Sequence, residues 1–343
     1  TLFLCEQYDA CAALVETALN GDVSASPSLL ALCYISLGYL KKAKAFIERF
    51  LKKLVASDGS NFRLEAELKL ALAECILEQH EAGEYNVAEQ HVIKAIQLEH
   101  SGRSNEELPD NFENMAPENR LSCIHDLTIS PIILRALCVL GTLYVAQKSY
   151  DSAERYMKQT LEIISGFYGK NAAVGMTGDT YQSLGFLYGK REKYDLAIEW
   201  YRKALDFYYG LPVSINKAVL LNKLGEAFKA MGNLPEAKQH YCQCMEFVKN
   251  YELSCKSKDL FMAITDSLMG LANIAYETKE FTLAETYFYD AAGYCNRIPE
   301  GGAKHLKAGA LHNLGVVRKE LRKYPEAVKA LTTSQSIYQK HDD

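Results

Sequence analysis

The sequence predicts an all-α protein, a right-handed superhelical solenoid built from antiparallel helix pairs. Three observations predict it. A phrase recurs in which Leu-Gly is followed by a ring three residues on and by aromatic-x-x-Ala about a dozen residues after the glycine; its clearest copy is LGFLYGKREKYDLAIEWYRKAL, Leu184 to Leu205. Other copies start at Leu140, Leu224 and Leu314. Two small-residue slots keep step with the phrase, one per helix of each pair. Large rings such as Tyr144, Tyr188, Tyr201, Phe228, Tyr241 and Phe288 stand between those slots. A recurring unit that cannot bury its apolar face alone must stack on its neighbours.

The slot of the first helix falls at Ala31, Ala73, Gly141, Gly185, Gly225, Ala272 and Gly315. The slot of the second falls at Cys11, Ala43, Ala88, Ala153, Ala197, Ala237, Ala284 and Ala327. Both are small because two backbones cross closest there, and the rings then fill holes on the facing helix. In chain order, a lone second helix (Tyr8 to Leu19) precedes a fair copy over Leu30 to Phe50. A weaker copy around Ala73 and Ala88 follows, its turn about three residues longer. The first 99 residues thus form one segment. Between Ala88 and Ala153 the slot spacing jumps to 65, and residues 100–130, polar and carrying Pro109 and Pro117, read as an insertion loop. Ser130-Pro131 restarts a helix with an N-cap and a first-turn proline. Five further pairs fill residues 131–343, and the last helix holds Ser334, Gln335 and Gln339 as a polar outer face unless the natural chain continues. The opening residue is Thr, which reads as an excised segment or a processed chain.

Composition narrows the function. Of 343 residues, 48% are hydrophobic and 24% charged, enough for a continuous core, and the net charge of −5 argues against a sequence-blind nucleic-acid surface. No apolar run reaches membrane-spanning length and no signal-peptide pattern opens the chain, so neither membrane insertion nor export is expected. The ten cysteines are scattered over helices, two of them (Cys11 and Cys244) where other copies carry Ala. They read as small core residues of a cytoplasmic protein rather than as metal ligands or disulfides. No phosphate loop, nucleophile elbow or HExxH occurs, so no enzyme activity, metal or cofactor is expected. The 22 tyrosines mostly sit in repeat slots, although TYFYDAAGY (Thr286 to Tyr294) could turn a ring to a second surface.

These slots resemble the tetratricopeptide repeat over nearly the whole chain. The last five second-helix slots lie 44, 40, 47 and 43 residues apart, longer than the repeat of about 34. In that layout the chain is similar to the kinesin-light-chain and nephrocystin-like branch, from which it departs in lacking the double-Asn phrase and the His-Pro connection. The resemblance implies that first helices line a concave groove. Side chains at fixed offsets from the first-helix slot would then meet a partner. The expected groove residues are Gln182 and Phe186, then Asn222, Lys223 and Lys229, then Met269, Asn273 and Tyr276, and finally His312 and Asn313. Arg135 and Thr142 fall at the corresponding offsets of the third pair.

The amides at Gln182, Asn222, Asn273 and Asn313 could bond an extended backbone through both donor and acceptor. Phe186, Met269 and Tyr276 would make apolar pockets, and Lys223 and Lys229 would favour an acidic group. The two-carboxylate clamp of the Hsp70 and Hsp90 co-chaperones is not present at the matching offsets. The expected function is a non-enzymatic adaptor that binds a linear segment of a partner protein. The alternative is a scaffold subunit that uses its convex face, the insertion or the chain ends.

Overall fold

A computed structural model describes residues 8–20, 26–56, 61–79, 82–102, 108–125, 130–167, 174–209, 214–251, 257–298 and 303–339. Among these residues there are sixteen α-helices in tandem and no strand. The chain is an all-α solenoid of helix pairs. It divides into two compact units, an N-terminal one (10–35 and 39–207) and a C-terminal one (208–343 with 1–9 and 36–38).

The N-terminal unit begins with the unpaired α1 (Tyr8–Asn20). The pairs α2 (Pro27–Leu37) with α3 (Leu40–Ala56) and α4 (Phe62–Gln79) with α5 (Tyr85–Ser101) follow. The longer turn of the weak copy is a 3-10 turn, Ala82–Glu84. After α6 (Pro117–His125) come α7 (Pro131–Ala146) with α8 (Tyr150–Phe167) and α9 (Val174–Lys190) with α10 (Tyr194–Tyr209). The C-terminal unit holds α11 (Asn216–Ala230) with α12 (Leu234–Tyr251), α13 (Lys258–Glu277) with α14 (Phe281–Tyr294), and α15 (Lys304–Glu320) with α16 (Tyr324–Gln339). Ser130 caps α7 as its sequence suggests, its hydroxyl accepting from the Ile133 amide at 3.2 Å with Pro131 in the first turn.

Close approach at the slots is the common feature of the pairs. A β-carbon at Gly225 would lie 2.7 Å from the Tyr241 ring, and one at Gly141 2.9 Å from Met157. At Gly185 the clash would be with Tyr201, at Gly315 with Leu331. Tyr241 is also pressed by Gly270 from the following pair, so one buried ring is held between glycines of two first helices. The turn that joins first to second helix is equally regular. Lys148, Glu192, Gly232, Lys279 and Arg322 occupy the same turn position, and all have φ between +59° and +78°. Only Gly232 adopts it without steric cost.

Stacked pairs are joined by polar contacts at the residue after the second-helix slot. Glu89 accepts from the Tyr144 hydroxyl at 2.9 Å. Glu154 accepts from the Tyr188 hydroxyl and Arg191, each at 2.9 Å. Glu285 takes Arg318 at 2.9 Å and Lys323 at 2.6 Å. Lys44 reverses the polarity, donating to Glu84 at 2.8 Å. The Tyr144 and Tyr188 hydroxyls are thus donors to the preceding pair. Tyr289, from the segment Thr286 to Tyr294, is the ring that faces out, 62% exposed.

Residues 100–130 carry more structure than their polarity suggests. Phe112, in a 3-10 turn, and Ile124, on α6, are fully buried. Arg120 on α6 is 5% exposed and donates to the Met115 carbonyl and to Glu89 at 2.9 Å. The Tyr156 hydroxyl donates to the Pro117 carbonyl at 2.9 Å. Spaced singly among charges, these apolar residues show no helical periodicity in sequence; packing on α5 and α8 is what orders them.

Two stability measurements test this packing. An exposed helical Gly→Ala change ordinarily adds up to about 1 kcal/mol, as expected at Gly293, where a β-carbon meets nothing. Gly225→Ala should instead remove roughly 2 kcal/mol by overpacking, read as opposite shifts of the urea midpoint. Arg120→Ala takes the cation away from the half-buried Glu89 carboxylate, leaving it the Tyr144 hydroxyl, and should cost about 3 kcal/mol, measured the same way.

Candidate functional site

Within the N-terminal unit the first helices α2, α4, α7 and α9 form one wall. Neighbours are tied by polar contacts: Ser28 to Glu67 at 2.7 Å, and Arg135 to both oxygens of Glu74 at 2.7 and 2.5 Å. The Arg135 fork engages Glu74 from two nitrogens, which withdraws Arg135 from the set open to a partner. Beside this pair the wall opens into a cavity of about 590 Å³. Ile35, Leu77, Val139, Val145 and Phe186 supply its apolar lining, while Glu78, Lys148 and Lys190 bring charge. Phe186 is 38% exposed, with the Lys190 ammonium 5.1 Å from its ring centroid. Thr142 also lines the cavity. Gln182, one turn before Phe186, is half-buried, and its side-chain oxygen is shielded from water with no hydrogen-bond partner among the described residues.

In the C-terminal unit the wall is made by α11, α13 and α15, and here the structure revises several expectations. Asn222 is 1% exposed. Its amide nitrogen donates to the Ala263 carbonyl at 2.6 Å, and its oxygen accepts from the Ser267 hydroxyl. The carboxamide expected to bind a partner backbone instead ties α11 to α13. Lys223 is answered from within the chain: its ammonium donates to both Glu226 oxygens, at 2.8 and 3.0 Å, and Asp266 stands beside it. Burial works against the ammonium charge, but Glu226 and Asp266 together hold its pKa above the ordinary value. With two carboxylates around one ammonium, the cluster does not favour the acidic group expected there.

Asp266 shows the same imbalance. Burial raises its carboxyl, Lys223 pulls it down and Glu226 pushes it up again, leaving it at about 6. Met269 and Tyr276 are partly buried against a core that includes Phe288 and Leu314, with the Tyr276 ring 5.6 Å from Phe281. They form the wall rather than open pockets in it. Lys229, Asn273 and Asn313 are half-buried, and His312 is exposed.

The sequence reading therefore overlooked most of the apolar cavity. A signal for it existed in α7, PIILRALCVLGTLYVA, which is apolar around nearly its whole circumference although pairing needs only one face. The surplus face carries Val139 and Val145. Among the described residues no group of three His, Cys, Asp or Glu side chains could hold a metal, and no helix is long and apolar enough to cross a membrane. Burial raises the Cys138 and Cys244 thiols to about 12, leaving them unreactive near neutrality.

An all-α stack of helix pairs with glycine crossings and a first-helix wall defines a helical-repeat protein. Residues 28–52, 133–165 and 176–250 each match a tetratricopeptide repeat family, and these three segments are tetratricopeptide repeats. The uncharacterized protein ycf37 of Cyanophora paradoxa is 36% identical over 66 residues, 19% of this chain and 35% of that protein. The chain thus spans about a third of that relative's length. BtubC (BKLC) from P. vanneervenii matches with a TM-score of 0.53 and 19% identity, over 66% of this chain and 93% of that one. NprR in complex with its cognate peptide NprX matches with a TM-score of 0.52 and 15% identity, over 87% of this chain and 74% of that one. At these identities the likeness to solved structures concerns the fold.

Two outcomes follow for the C-terminal unit. Asn222→Ala removes both hydrogen bonds by which it ties α11 to α13 and should lower stability by about 2 kcal/mol, read in urea. The raised Asp266 carboxyl binds its proton more tightly folded than unfolded, so its contribution is complete below the ordinary carboxylate range. That contribution is lost as pH rises through about 6. Asp266→Asn should flatten the fall in stability between about pH 4 and pH 7.

Proposed function

We propose that this chain is a non-enzymatic adaptor that holds a linear segment of a partner protein against its first-helix wall. The observation that carries the reading is the cavity beside Phe186. It is open, largely apolar and lined by four first helices together with Tyr85 and Tyr150 at the starts of two second helices, and pairing within the hairpins does not explain its unfilled volume. Preformed walls of this kind bind extended segments at low ordering cost, with side-chain pockets supplying specificity. NprR, a protein of similar fold, has been solved with its cognate peptide, which supports peptide capture by a fold of this kind.

The wall has a division of labour in this reading. Phe186, Thr142 and Val139 would receive an apolar side chain in the N-terminal unit. In the C-terminal unit Asn273, Asn313, His312 and Lys229 remain for polar contacts, while Asn222 and Lys223 are structural. A cytoplasmic location is part of the proposal, supported by dispersed cysteines that form no disulfide among the described residues, five of them buried.

The test is affinity capture from a lysate, followed by binding of the recovered segment as a labelled peptide. Phe186→Ala combined with Thr142→Ala should weaken that peptide at least tenfold while leaving the thermal midpoint within about 2 °C, because Phe186 is already well exposed. Unchanged affinity in the double variant would remove the wall as the binding site.

A further inference from the structure

α3 is the most basic element of an otherwise acidic chain. Its sequence, LKKAKAFIERFLKKLVA, holds six cations and one carboxylate, while the whole chain has a net charge of −5. Packing uses only one of its faces, where Leu40, Ala43 and Ile47 are buried. Phe46 and Phe50 lie one turn apart beside that face, half-buried, with ring centroids 5.0 Å apart, and Tyr34 of α2 meets Phe46 edge-on at 6.0 Å. The three rings floor an open cavity of about 610 Å³ between α1, α2 and α3. This cavity lies in the N-terminal unit and shares no lining residue with the one beside Phe186.

The charges around it are uneven. Lys42 is neutralised: it bonds Glu16 at 2.8 Å, Glu16 also accepts from the Tyr34 hydroxyl, and the ammonium sits 4.2 Å over the Tyr34 ring. Arg49 and Lys53, also lining the cavity, are exposed and have no carboxylate partner among the described residues. Four residues apart, they share one edge of the helix, and Lys53 lies 5.6 Å from the Phe50 ring centroid. The cavity thus has an aromatic floor and a single cationic edge whose charge the described residues leave unanswered.

We propose that this cavity docks a protein segment that presents a large apolar side chain next to acidic residues. The rings would receive the apolar group, and Arg49 and Lys53 would pair with the flanking carboxylates. Charge complementarity selects the partner. A nucleic acid would need cations spaced along a backbone track rather than on one edge of one helix. A membrane surface would need apolar groups that protrude, and Phe46 and Phe50 are recessed.

The experiment selects a phage-displayed library of random twelve-residue peptides on the whole chain, with counter-selection on Arg49→Glu combined with Lys53→Glu. Both side chains are exposed, and circular dichroism should show the double variant folded. Enrichment of peptides that pair an aromatic or leucine with Glu or Asp supports the proposal if fluorescence anisotropy shows at least tenfold weaker binding to the double variant. Those peptides should bind Phe186→Ala as they bind the wild type, which separates this site from the first-helix wall. Recovery of no acidic peptides that depend on Arg49 and Lys53 overturns the proposal. Tighter, charge-reversal-sensitive binding of a labelled oligo-dT or of phosphatidylserine vesicles than of any selected peptide also overturns it.

Discussion

The close crossing of paired helices at small residues is the constraint on which the rest of this structure depends. Where Gly225 faces Tyr241, or Gly185 faces Tyr201, the missing β-carbon lets a ring lie directly on the opposite backbone. The ring then fills the space that a bulkier slot residue would have taken. Because Tyr241 also reaches Gly270 on the next first helix, the contact that closes one hairpin helps to seat its neighbour. Stacking and pairing are therefore coupled through the same side chain, and a repeat array can grow from local contacts alone.

A second layer of specificity is electrostatic. Glu154 and Glu285 are partly desolvated, which would raise their carboxyls. Hydrogen bonds from Lys158 and Tyr188 in the first case, and from Lys323 and Arg318 in the second, outweigh burial and hold both below the ordinary range. Such contacts are directional and set the register of one pair on the next, whereas apolar packing alone tolerates sliding. The same demand for satisfied polar groups explains the fate of Asn222 and Lys223. A polar residue on a first helix can face the wall or the adjacent first helix, and the nearest unpaired carbonyl or carboxylate decides which.

Two surfaces of the N-terminal unit remain open after these internal demands are met. One is the wall cavity beside Phe186, built from surplus apolar positions of α4, α7 and α9. The other is the ring-floored cavity on α3, where Arg49 and Lys53 have no carboxylate partner among the described residues. They differ in chemistry, so a partner suited to one need not compete for the other. An adaptor with two unlike docking sites could join two partners without any change of shape.

What the sequence by itself determined is the repeating backbone. Slots from Cys11 to Ala327, the long turn of the weak copy and the Ser130-Pro131 restart were all legible, because each reflects a local rule repeated at a regular spacing. The tertiary structure alone decided which polar side chains are available. Asn222 and His312 occupy the same offset, three residues before their slots, yet one is buried between helices and the other is exposed. Likewise, nothing in the spacing of Phe112, Arg120 and Ile124 announces that residues 100–130 pack onto the array. The physical reason is that slot residues obey the geometry of a single hairpin, whereas pairing of polar groups depends on atoms contributed by elements distant in sequence.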